Sequence, residues 1–116
     1  MTHFTTEQEM QKRITGLQEV YIDVLKSIGK PILLRDFCEI VKIEDSGRFL
    51  ESKGLFIKVD IVPIEGVVEG HHVKAMPVVY LRNSIRINGR CFRSIPEAAV
   101  LLNRTIRWVW EEVKDG

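Results

Sequence analysis

The chain has 116 residues, 45% of them hydrophobic and 28% charged, with a formal net charge of +1. Those values exclude a disordered chain and fit one ordinary core, too small to divide into two independent ones. No apolar run approaches the roughly eighteen residues needed to span a bilayer, and MTHFTTEQEM lacks the charged-then-apolar order of a signal peptide, so a cytoplasmic protein without a membrane partner is expected.

Thr6-x-x-Glu9 is a capping box that opens the longest predicted helix. Its apolar residues, Met10, Ile14, Leu17, Tyr21, Val24 and Ile28, recur in steps of four and three, and Gly29 and Pro31 end it. That spacing fits a homodimer through this helix. The wider stripe that Val20, Ile22 and Leu25 supply favours packing on its own domain instead. Leu34, Phe37, Cys38 and Val41 predict a second helix to about Lys42. Asp45 or Ser46 then caps a short third helix carrying Phe49 and Leu50, which Gly54 ends.

At Ile57 the period changes. Ile57, Val59 and Ile61 alternate with Lys58 and Asp60, predicting a strand with one buried face that Pro63 ends. A connection through Glu65-Gly66-Val67-Val68-Glu69-Gly70 leads to a second strand from about Val73 to Arg82, in which Pro77 argues for an edge position or a bulge. Helix, helix, helix, strand, long loop, strand is similar in order to a winged helix, with the two strands and their loop as the wing.

The clearest local signals lie in Ile85–Lys114. Asn88-Gly89 suits a two-residue hairpin turn between Ile85–Ile87 and Arg90–Phe92, because both positions need φ > 0. Ser94-x-x-Glu97 is a capping box with Pro96 in the first turn of a helix reaching Leu102. Asn103 can take the left-handed conformation that ends it, and Thr105 caps a last helix with Ile106, Val109, Trp110 and Val113 on one face. Trp108 falls on the other side with Arg104, Thr105, Arg107 and Glu111.

Ala99, Asn103 and Val109 resemble the small residue, turn residue and branched apolar residue of a helix-turn-helix. More broadly, INGRCFRSIPEAAVLLNRTIRWVWEEVK resembles the small DNA-binding module appended to homing endonucleases and found in phage proteins. Asn103 replaces the more usual Gly of that turn, and Arg104 stands where an apolar residue is common. The expected architecture is therefore α+β in a single domain over 1–116. Its helical part covers 1–54, its strands and hairpin 55–93, and its helix-turn-helix 94–116.

Charge is divided along the chain. From Met1 to Gly70 twelve acids face nine bases, whereas from His71 to Trp110 seven bases face Glu97 alone. Such asymmetry suggests a polyanion-facing end, and the preponderance of Arg suits phosphate and guanine edges. With the resemblance, it implies a non-enzymatic regulator, encoded by a phage or mobile element, that binds double-stranded DNA. Arg82, Arg86, Arg90 and Arg93 would hold phosphates, and Arg104, Thr105, Arg107 and Trp108 would face bases. The alternative is a small inhibitor or adaptor docking on a host nucleic-acid enzyme, with Trp108 as an anchor.

Other chemistry finds little support. Adjacent His71 and His72 on a strand point to opposite faces and cannot easily share a metal. Asp60, Glu65 and Glu69 lack a clustered acid-and-lysine arrangement, and Cys38 lies on an apolar helix face. No phosphate loop, nucleophile elbow or dinucleotide fingerprint is present. No cofactor or metal is expected.

Overall fold

The computed structural model describes residues 16–115. Within them the chain is α+β, with five helices and three small antiparallel sheets. Helix α1 (Gly16–Ile28) is followed by a two-residue strand β1 (Ile32–Leu33), α2 (Leu34–Ile40) and α3 (Ser46–Ser52). Strand β2 (Ile57–Val62), a hairpin of β3 (Gly66–Val68) and β4 (His71–Val73), and β5 (Met76–Leu81) come next. A second hairpin, β6 (Ile85–Ile87) and β7 (Arg90–Phe92), precedes α4 (Ile95–Leu101) and α5 (Ile106–Val113). The capping box at Thr6–Glu9 and the apolar positions Met10 and Ile14 lie outside the described residues.

The main sheet runs β1-β5-β2, and successive side chains along it serve two different cores. Ile57 and Val79 join Tyr21, Leu25, Leu34, Phe37, Cys38 and Phe49 under the first three helices. Val62, Val78 and Tyr80 point the other way and pack with the second hairpin, α4 and α5. The helical side is centred on Tyr21, Phe37 and Phe49, one ring from each of α1, α2 and α3, with centroids 5.0–6.0 Å apart. Helix α1 thus packs on its own domain through Tyr21 and Leu25, while Leu17 and Val20 stay half exposed.

This two-sided burial corrects the reading of β2 as a strand with one buried face. Val62 is fully buried on the second core, and Ile61 is 60% exposed. Lys58 and Asp60 lie on the side that the C-terminal elements cover, so their polarity does not mark an open face. Pro77 makes no bulge, since the register of β5 with β2 is unbroken from Met76 to Leu81. Although β5 is the central strand, Pro77 itself stands at a locally unpaired edge of it. The chain tolerates it because β1 pairs only with Val78 and Val79, leaving the sheet two strands wide at Pro77.

The connection expected as a loop is instead the β3–β4 hairpin. Its turn uses Glu69 at φ 50° and Gly70 at φ 80°. Glu is uncommon in the left-handed region, which is why no turn signal stood out. The Arg35 guanidinium donates to the Val67 carbonyl at 3.0 Å and ties the hairpin to α2. Gly66 is required by close approach, because a Cβ there would come within 2.1 Å of Met76 Sδ.

Tyr80 joins the sheet to the C-terminal elements. Its hydroxyl donates to Asp60 Oδ2 on β2 and accepts the Ile95 N–H at 3.0 Å, at the first residue of α4. Burial, and then the hydrogen bond to Asp60, push its pKa far above the ordinary 10.0. Tyr80→Phe strands the Ile95 amide and should cost about 1–3 kcal/mol in urea unfolding. Because the folded-state pKa is raised, the stability from a protonated phenol is complete below about pH 10 and is lost as pH rises beyond it. That alkaline loss should be absent in Tyr80→Phe.

Candidate functional site

The C-terminal signals form as the residue chemistry predicts. Asn88 and Gly89 take φ of 52° and 78° in the turn of the second hairpin. Ser94 Oγ accepts the Glu97 N–H at 3.2 Å, while the Glu97 carboxylate reaches one residue further back than a standard capping box, to the Arg93 N–H at 2.7 Å. Asn103 at φ 53° closes α4. Its own N–H bonds the Val100 carbonyl at 3.2 Å, and that of Arg104 bonds Ala99 at 2.9 Å. Thr105 Oγ1 then caps α5 through the Trp108 N–H at 3.0 Å. Ala99 and Val109, the apolar positions of the pattern, are buried, as is Trp110.

The β5–β6 connection brings the two halves together. The Arg82 N–H donates to the Phe56 carbonyl at 2.8 Å, and the Asn83 N–H to the Arg93 carbonyl at 3.2 Å. These bonds set Arg82 and Arg93 beside the segment from Lys53 to Lys58. The result is a cleft of about 370 Å³ lined by Lys53, Lys58, Arg82 and Arg93, with Ser94 and Glu97 in its wall. Lys53 Nζ donates to the carbonyls of Gly54 and Ile57 at 3.3 and 3.1 Å. Burial first, and then repulsion from Lys58, lower its pKa. The Arg93–Glu97 ion pair spans 4.0 Å with the arginine side chain 72% exposed, so it contributes at most about 1 kcal/mol and leaves Arg93 available to solvent.

Two further clefts continue this surface. One holds Arg82 and Lys26 with Phe56, Glu19 and Asp23. The next holds Lys26, Lys30 and Arg86 around Gly29 and Ser84. Of the residues singled out from sequence, Arg82, Arg86 and Arg93 therefore share one connected surface. Arg90 instead lies over the Phe92 ring at 5.1 Å. Arg104, Thr105, Arg107 and Trp108 form a separate group at the leading end of α5, where the Arg104 guanidinium stacks over Trp108 at 5.0 Å. Arg107 lines a shallow cleft with Glu65, Glu111 and Lys114.

The sequence reading overlooked Lys26, Lys30, Lys53 and Lys58. They belong to the acid-rich half by order but face the basic half in space. No local signal pointed to them, since Gly29 at φ 72° ends α1 before Lys30 and takes it off the helix face. The remaining polar candidates stay apart. His71 and His72 are exposed on β4, Cys38 is buried with its thiol pKa raised by that burial, and Cys91 is exposed. Among the described residues no three His, Cys, Asp or Glu are placed to hold a metal ion, and no helix is long and apolar enough to cross a membrane.

The chain matches no family model, no curated protein and no solved structure. The cleft's own electrostatics can be checked directly. In Lys58→Gln the Lys53 pKa should rise towards its ordinary value of 10.5 yet stay below it, since burial persists. A side-chain NMR titration of the lysines reads this.

Proposed function

We propose that the protein is a non-enzymatic DNA-binding regulator of a phage or mobile element, acting in the cytoplasm, with a winged-helix-like body and a C-terminal helix-turn-helix. The order α1-β1-α2-α3-β2-hairpin-β5, with the sheet arranged β1-β5-β2, supports the first part of this reading. The α4–Asn103–α5 corner, capped by Thr105, supports the second. The observation that carries the function is the connected basic surface that reaches the start of α4, on which Arg82, Arg86 and Arg93 lie.

The division of labour follows from charge. Helix α3, which a winged helix would present to a groove, has seven residues, and Glu44, Asp45 and Glu51 surround its single Arg48. The β3–β4 tip carries Glu69 beside His71 and His72. Neither surface carries an excess of bases, so base reading falls to α5 through Arg104, Thr105, Arg107 and Trp108. Arg82, Arg86 and Arg93 hold the backbone and set register, while Arg90, over the Phe92 ring, stands apart from them.

A second reading, a protein-binding inhibitor or adaptor of a host nucleic-acid enzyme, is favoured by the apolar end of α4, where Val100 is 79% and Leu101 55% exposed. Capture of such an enzyme that survives nuclease and high salt would support it. Leu17 and Val20 remain the positions through which α1 would pair in a homodimer.

A gel-shift titration of mixed-sequence duplex across salt tests the favoured reading. Binding at low ionic strength that weakens steeply with salt is expected, and no binding there removes it. On a selected site, Arg107→Ala should lose about 1–3 kcal/mol of discrimination while keeping the salt dependence of a phosphate-binding surface.

A further inference from the structure

We infer that the phosphodiester backbone of the bound nucleic acid runs across both halves of the molecule, from Arg93 and Lys58 past Arg82 to Lys26, Lys30 and Arg86. This rests on the DNA-binding reading and extends it to lysines of the half that is acidic by sequence. Three clefts carry the inference because consecutive ones share a cation. Arg82 belongs to the first and second, and Lys26 to the second and third. The cations come from α1, β2, the β5–β6 connection, β6 and the residues before α4, so the tertiary fold alone aligns them.

A row of adjoining clefts fits a ligand with repeating charge, whereas a compact anion would occupy a single cleft. The row contains acids as well: Glu97 lines the first cleft, and Glu19 and Asp23 line the second. They leave the bases in excess. Repulsion between Lys53 and Lys58 is a cost that an anion in the first cleft would relieve. Neither α3 nor the β3–β4 tip gathers a comparable excess of bases, which favours this surface over those elements as the route for a polyanion.

The test compares salt dependence of duplex binding in the full chain by fluorescence anisotropy. Lys26→Gln/Lys58→Gln removes two cations from the row. Lys42→Gln/Lys74→Gln removes the same charge from exposed positions off it. The first pair should flatten the log–log salt slope by about 1.8, roughly 0.9 for each lost phosphate contact, and the second should leave it unchanged. Circular dichroism melting confirms that both variants are folded before comparison.

Equal flattening by both pairs, or by neither, overturns the inference. If Arg86→Gln flattens the slope while Lys26→Gln/Lys58→Gln does not, the inference falls and the DNA-binding reading stands. Absence of wild-type binding to duplex sinks both. Tripolyphosphate that displaces the duplex as effectively as unlabelled DNA at equal phosphate concentration would mean a compact-anion site, and also overturns it.

Discussion

A buried hydroxyl group ties the central strand to both halves of this molecule. Tyr80 sits on the central strand, donates a hydrogen bond to Asp60 on the neighbouring strand and accepts one from the amide of Ile95 where α4 begins. The ring is buried among Val62, Val78, Ile85 and Ile95, so each polar partner must be satisfied by the others. Such a buried relay fixes distance and angle, which hydrophobic contact alone leaves loose. Arg93 and Ser94, immediately before Ile95, are carried to the mouth of the cleft by the same anchor.

The sheet is the second constraint. Strand β5 contributes Val79 to the aromatic core under α1–α3, and its neighbours Val78 and Tyr80 to the core under the second hairpin. A strand buried on both faces must be apolar throughout, and MPVVYL is. The basic surface lies where the chain leaves this strand, at Leu81 to Arg86. There backbone bonds to Phe56 and Arg93 draw both halves together. The charge asymmetry along the sequence is thus not the asymmetry of the surface. Lysines from the acid-rich half line the clefts, while Arg90, Arg104 and Arg107 of the basic half sit elsewhere.

The features legible in the sequence were those decided within a few residues. Asn88-Gly89, the Ser94 and Thr105 caps, the Asn103 stop and the Asp45 cap each depend on neighbours in the chain, and each forms. What escaped depends on distant partners. The two residues of β1 have no periodicity to detect, and Pro77 is tolerated in the central strand only because β1 stops short of it. Glu69 occupies a conformation its side chain gives no hint of, and β2 hid its second buried face behind Asp60, whose partner lies twenty residues away. Half of the candidate surface was visible as arginines after Gly70. The lysines were not, because nothing local says which way a helix end or a strand lead-in will face.

The shared strand has a consequence for autonomy. Here the hairpin and two helices complete their interior with Val62, Val78 and Tyr80, all supplied by the sheet. Cut away, they would lose the floor of their own core, and the remaining sheet would present a bare apolar face. In this chain the C-terminal elements and the sheet share one interior, and neither could be transplanted without the other.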